Sequence, residues 1–421
     1  MNDLKIAVVD LDRRTVEITS REEDLRRESV GGAALNLNLI EQHGKENLIF
    51  GAGPLTGTFA PASALLVGSF ASSRAGVIVH VPLLLTAGPD FRCSGIDHLV
   101  LLGAAERPIL LHIDGGRVRF VELPPQASDL PSLEVSLRRS APPFRSAILT
   151  GPAADAGVSL AAVSLGAKGS LDKAGLAGAM AAKNLKGILL GGSGGIGFAD
   201  GDLRCSLELA GRIRRERKRG GGFASLVESA GGGDCLKALK GAKFSDAACF
   251  HCPAPCMVHA RFTAADPRLP QGPKKQNGLL LMDPVGWIAL AGKRGERALP
   301  LLWEAVRLGL DPAAAASLLP GEGVLTSDFD ALSAMARGER AESPSTAQAP
   351  ASSDPTFGGG LVAVGTGEEA RRRTALAFIL GVCPLLLQRF PQIVVDLPAF
   401  LPVDFLPASL DRAVERVLAQ G

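Results

Sequence analysis

Three of the chain's seven cysteines fall in one short run, Cys249-Phe250-His251-Cys252-Pro253-Ala254-Pro255-Cys256. Thiolates at the spacing C-x-x-C-x-x-x-C repel one another unless something positive lies between them. Soft sulfur donors this close suit an iron–sulfur cluster or zinc. Pro253 and Pro255 resist helix and remove two backbone donors, so the sulfurs can turn toward one centre. Whatever fold the chain adopts must leave room for that convergence. A cubane takes four ligands and the run supplies three. Cys383, in Leu380-Gly381-Val382-Cys383-Pro384 at the end of an apolar run, is the candidate for the fourth. Zinc with His251 or His259 as its last ligand is the open alternative. A redox-active C-x-x-C lacks a thioredoxin-like frame around it. Cys93, Cys205 and Cys235 stand alone and read as small buried hydrophobes. An odd cysteine count in a long chain without a secretory signal argues against a disulfide framework.

At 421 residues the chain can bury a large core and is expected to form two or three domains. A net charge of +2 gives no argument for nucleic acid or membrane as a partner. Tyrosine is absent and aromatics make up 5%, so stacking platforms for single strands are not in evidence. The longest apolar stretches, 76–87 and 375–387, are shorter than the ~20 residues that span a bilayer, and each contains a proline. The N-terminus enters a strand-like run without a secretory h-region, so a reducing cytoplasm is the expected compartment.

Short β-type runs crowd the first half. Residues 4–10 and 15–19 read as strands around a turn, and Gly31-Gly32 opens a helical pattern through Ile40. Residues 47–50 lead into Gly53-Pro54-Leu55-Thr56-Gly57-Thr58. Residues 65–70, 76–85, 97–102, 108–113 and 117–122 follow at strand length. Residues 134–140 and 158–163 are ambiguous. A helix is expected from Asp172 to Lys183, closed by Asn184-Leu185-Lys186, with a strand at 187–190. Gly192–Gly197 fits G-x-G-x-x-G after that strand, but no helix starts at once and no acidic residue closes a second strand. An interdomain hinge accounts for it better than a dinucleotide site. Helices are expected at 203–219, 296–310 (interrupted near Pro300), 368–380 and 409–419. The first ends in Arg212, Arg214, Arg215, Arg217, Lys218 and Arg219, either a solvated helix end or a docking point for an acidic electron carrier. Residues 338–360 are rich in Ser, Ala, Pro and Gly and read as linker. The expectation is an α+β chain. A β-rich N-terminal domain (1–200) precedes a mainly helical domain carrying the cysteine run (201–327). A low-complexity linker (328–362) and a C-terminal helical domain with Cys383 (363–421) complete it.

These residues, taken in order, resemble the aldehyde ferredoxin oxidoreductases, a family of tungstopterin and iron–sulfur proteins. The resemblance rests on Gly53–Thr58, on Gly151-Pro152-Ala153 with Gly178-Ala179-Met180 and Lys183–Lys186, on the cysteine run, and on two similar loops. The loops are Leu308-Gly309-Leu310-Asp311 and Leu380-Gly381-Val382-Cys383. It implies a β-rich base carrying two helical domains, and a [4Fe–4S] cluster held by Cys249, Cys252, Cys256 and Cys383. It also implies a tungsten held by two pterins, with ferredoxin as electron acceptor.

The departures are as informative. The aspartates that open the family's pterin loops fall on Val306 and Phe378, leaving Asp311 as the one carboxylate that could still meet a pterin. An expected arginine falls on Leu65, and an expected asparagine with two glycines falls on Pro82, Leu83 and Leu84. Gly278–Asp283 replaces an acidic stretch, and a His/Gly-rich stretch before the fourth cysteine is missing. Polar and phosphorylated groups set against such residues would lose several kcal/mol of hydration unpaired. The chain is thus identified as a shortened, divergent member that keeps the cluster ligands. Its expected role is an electron-transfer or accessory protein working with a ferredoxin-like carrier or a catalytic subunit, in an oligomer or alone. The rival readings are an active tungsten- or molybdenum-pterin aldehyde oxidoreductase and a non-redox protein stabilised by zinc.

Overall fold

The structure is a computed structural model. It describes residues 4–21, 29–72, 76–124, 128–169, 171–196, 202–217, 222–240, 242–262, 277–320, 325–339, 356–357, 367–401 and 407–420.

Strands dominate up to residue 190. The first sheet has six strands in the order β2-β1-β6-β3-β4-β5. They are β1 (Leu4–Asp10), β2 (Thr15–Arg21), β3 (Leu48–Ala52), β4 (Leu66–Ala71), β5 (Ile78–Leu83) and β6 (His98–Leu102). Only β1 and β6 run parallel. The second sheet is ordered β10-β9-β11-β7-β8. It comprises β7 (Ile109–Asp114), β8 (Arg117–Glu122), β9 (Ser146–Thr150), β10 (Val163–Leu165) and β11 (Leu185–Leu190).

Strand alternation divides the core. Ala7, Val9, Phe50, Leu66, Leu99 and Leu101 point from the first sheet into one apolar cluster, which Ile109, Leu111, Ile148 and Ile188 of the second sheet share. The intervening residues Ile6, Ile49, Val67 and Val100 point the other way, into a second cluster. That cluster holds the helix Gly32–His43, buried without a break from Gly32 to Ile40, and the helix Glu368–Leu380. A helix this deeply buried needs cover on all sides, which the sheet and the C-terminal helices provide.

After residue 200 helices prevail: Asp202–Arg217, Phe223–Ser229, Pro284–Arg294, Ala298–Leu308, Pro312–Leu318, Leu325–Ala336, Glu368–Leu380, Pro384–Arg389 and Pro407–Leu418. The arrangement is the α+β one expected, a β-rich N-terminal region and then a helical one. Among the described residues, no helix is long and apolar enough to cross a membrane.

Several elements depart from expectation. The helical region contains a three-stranded antiparallel sheet, β12 (Lys243–Ala247), β13 (Met257–Phe262) and β14 (Asn277–Leu281), so the cysteine run is the loop of a hairpin. Residues 134–140 belong to the helix Leu130–Ser140, which Asp129 caps through the Ser132 N–H at 2.8 Å. The helix expected from Asp172 starts at Leu176, because the Asp172 carboxylate instead collects the N–H groups of Ala174, Gly175, Leu176 and Ala177. Pro300 does not interrupt its helix. It lies in the first turn of Ala298–Leu308, where no backbone donor is needed.

The glycine run after β11 is not a hinge over its described residues. Gly192 N–H donates to Ser94, Ser193 N–H to Asp114 and Gly194 N–H to the Cys93 carbonyl, so these three donors are already taken. Gly197 lies outside the described residues, as do 340–355 and 358–360 of the expected linker. Residues 328–336 of the same stretch are helical. Asp328 there takes a two-pronged ion pair from buried Arg294, at 2.7 and 2.8 Å.

Candidate metal centre

Two loops from the N-terminal region grip two loops from the helical region, in the same way each time. In the first pair Gly53 faces Leu380–Gly381. Leu55 N–H donates to the Leu380 carbonyl (2.9 Å) and Leu65 N–H to that of Gly381 (3.2 Å). A Cβ on Gly53 would stand 2.2 Å from the Leu380 carbonyl carbon, so only glycine fits this approach. Thr56 braces the loop from inside, its hydroxyl accepting from Gly53 N–H and donating to Leu65 O. Arg92 braces it from outside by donating to the Pro54 and Thr56 carbonyls at 3.2 and 2.9 Å. In the second pair Gly151 faces Leu308–Gly309, with Ala162 N–H donating to Gly309 O and Asp311 N–H to Leu160 O, both at 2.8 Å.

Each gripped loop ends a helix on a left-handed glycine and starts the next with an extended residue followed by proline. That starting residue is Asp311 in one loop and Cys383 in the other. Their backbones match, at φ −67°, ψ 114° and φ −65°, ψ 119°.

The Cys383 loop meets the cysteine hairpin at Ala62. Ala62 N–H donates to the His251 carbonyl and Ala62 O accepts from Cys383 N–H, both at 2.9 Å. Phe250 N–H is held by the Leu85 carbonyl at 2.8 Å. Ala62 and His251 both have positive φ, +56° and +52°, a strained choice for a residue with a Cβ. With the segments pinned so, Cys249, Cys252, Cys256 and Cys383 line a single cavity, otherwise walled by Leu84, Leu171, Leu226, Met257 and Leu385.

As thiols these groups are hard to ionise there. Burial pushes Cys249 well up, with Cys383, Cys256 and Cys252 adding repulsion. Cys383 is raised to about 12 by burial and by Cys252. Cys252 and Cys256 are raised by burial as well. Four sulfurs in an apolar, desolvated space that oppose each other's charge are a donor set for a soft, positive centre. Among the described residues, no three His, Cys, Asp or Glu side chains are gathered as donors to one ion. A cubane would take one thiolate per iron, four in all. His251 turns away from the cavity toward Ser206 (3.4 Å) and sits edge-on to Phe59 and Phe250. His259 lies in β13 opposite Leu280.

The matching position in the other loop is differently furnished. Asp311 caps the helix Pro312–Leu318 through the N–H groups of Ala313 and Ala314. It is also paired with Lys173, whose ammonium group bonds Asp283 at 2.6 Å. Burial alone would lower the Lys173 pKa, but the two carboxylates outweigh it and hold the ammonium charged. Asp311 is therefore already engaged by protein groups. Leu65 and Phe378 are fully buried, Leu84 nearly so, and Phe378 packs on Phe357 at 5.1 Å. β14 buries Leu279 and Leu281. At Leu65, Leu84 and Phe378 a pterin's amino and phosphate groups would find nothing to bond, and these positions do not fit that group.

Sequence reasoning missed Ala62, Arg92, Lys173 and Asp283. An alanine that works through its backbone at positive φ leaves no mark in a sequence. A lysine that pairs with carboxylates more than a hundred residues away leaves none either.

Residues 6–192 match the family described as "Aldehyde ferredoxin oxidoreductase, N-terminal domain". The chain is 25% identical over 228 residues to the tungsten-containing aldehyde ferredoxin oxidoreductase of Pyrococcus furiosus, covering 51% of this chain and 38% of that one. It is 28% identical over 189 residues to the protein of the same description from Pyrococcus horikoshii, covering 44% and 31%. The matched part thus spans roughly a third of the length of these relatives. Among solved structures, the active site complex BamBC of benzoyl coenzyme A reductase with 1,5-dienoyl-CoA superposes with a TM-score of 0.65 at 16% identity. That covers 80% of this chain and 61% of the other, a likeness of fold.

Proposed function

We propose, from the likeness of its residues 6–192 to the aldehyde ferredoxin oxidoreductase family, that the chain is a divergent member of that family and a [4Fe–4S] redox protein that works without a pterin-bound metal. The observation that carries this reading is the meeting of Cys249, Cys252, Cys256 and Cys383 on one apolar cavity. A cluster bound there supplies a one-electron relay. The leucine and methionine walls exclude water and lower the local dielectric, which disfavours added negative charge and so tunes the potential. Ala62 fixes the hairpin and the Cys383 loop relative to each other.

Two features speak against aldehyde oxidation at a neighbouring centre. Asp311 is committed to Lys173 and a helix cap, and the positions that would serve phosphates are Leu65, Pro82, Leu83 and Leu84. The partner is a carrier protein or a catalytic subunit, and the expected compartment is the cytoplasm.

Anaerobically purified protein should show broad visible charge-transfer absorbance that bleaches with dithionite, together with a reduced-cluster EPR signal. Cys383→Ala should lose most of both, while Cys235→Ala keeps them. A colourless, EPR-silent wild type defeats the reading, and an unchanged Cys383→Ala removes that ligand.

A further inference from the structure

The helix Asp202–Arg217 lies over the cysteine hairpin, with buried Ser206 reaching His251 at 3.4 Å. Its neighbouring flank is unusual for a protein surface. Leu203 and Leu207, one turn apart, are 52% and 63% exposed, and Phe250 in the hairpin is 38% exposed. Arg214 falls on the same flank at helical spacing. Large side chains exposed together over a redox site mark an interaction surface, whereas single ones would not.

Charge indicates the kind of partner. Arg212 is taken up by Asp396 and Arg217 by Asp246. Arg214 and Arg215 are exposed and, among the described residues, have no carboxylate partner. Of the helix's carboxylates, Glu208 pairs with Arg204 of the same helix and Glu216 accepts from Gln392. The flank is thus an apolar centre with an unneutralised basic rim, complementary to an acidic protein with an apolar contact spot. Phe250 connects it to the interior. The residue lies between two ligand positions, bonded directly to buried Cys249, and its ring reaches the surface.

Resting on the cluster reading above, we infer that the Leu203–Leu207–Phe250 face with its Arg214–Arg215 rim is the docking site of a small acidic one-electron carrier protein. One electron passes between the carrier's centre and the cluster. One centre is oxidised by one electron as the other is reduced by one, with no bond made or broken and no proton required.

The test measures cluster reduction in the full-length protein by stopped flow with two reductants. One is a reduced acidic bacterial ferredoxin, and the other is the methyl viologen radical, a small mediator that needs no docking face. With ferredoxin the wild-type rate should fall about tenfold between low and high salt. Arg214→Glu and Leu207→Asp should each lower it about tenfold at low salt. With methyl viologen all three proteins should agree within about twofold, which shows that the exposed substitutions leave the cluster intact. Ferredoxin rates equal to wild type in both variants overturn the docking face while the cluster reading stands. Absence of any reducible cluster in the wild type overturns both.

Discussion

His80 shows what one buried side chain costs. It is fully enclosed, its Nδ1 shared with the Ser69 hydroxyl at 2.8 Å, and Ser69 is tied through Asn36 to His98. Burial lowers its pKa from 6.5 to about 3. The folded protein therefore keeps this imidazole neutral while an unfolded chain protonates it near 6.5. Between those values the unfolded state binds more protons, so stability falls as the pH drops below about 6.5, and above that the group is neutral in both states. Integrated from pH 7 to 5, the loss is about 2 kcal/mol. Denaturant unfolding of wild type and His80→Gln at the two pH values checks this. The variant should lose about 2 kcal/mol less over that interval, and equal losses would mean that His80 is charged in the native protein. The sequence offers no hint of this network, because serine, asparagine and two histidines from four elements meet only in the fold.

At the scale of elements, the two gripped loops carry the site. Their helix–Gly–X–Asp/Cys–Pro pattern was legible in the sequence, as were most strands of the N-terminal region and the helix Glu368–Leu380 to the residue. Alternation and capping chemistry encode such features locally. The three-stranded sheet around the cysteine run was not legible. β12 exposes most of its residues and so shows no apolar alternation, and its pairing is dictated by partners farther along the chain.

The closeness of Gly53 to Leu380 gives a sharp expectation. Gly53→Ala forces its new Cβ onto backbone that cannot move without shifting Cys383. It should cost about 2–3 kcal/mol and reduce iron content as Cys383→Ala does. Gly178, mid-helix with open space around its Cβ position, is the control. Gly178→Ala should be stabilising by about 0.5–1 kcal/mol with iron unchanged. Iron retained in full by Gly53→Ala would show that the clamp does not position the fourth cysteine.

Across the whole molecule, one fold presents two similar loops with different contents. One ends in Cys383 and joins three cysteines; the other ends in Asp311 and is closed by Lys173 and Asp283. The cysteines could be named from spacing and from family likeness. The closed state of the second loop could not, since it depends on a lysine brought in from the β-rich region. Both halves of the account, a cluster kept and a pterin-bound metal absent, are tested together by the metal content of anaerobically purified full-length protein. The account predicts about four irons per chain, with zinc, tungsten and molybdenum at trace levels. One zinc per chain without iron would contradict the cluster, and stoichiometric tungsten or molybdenum would contradict the loss of the second centre.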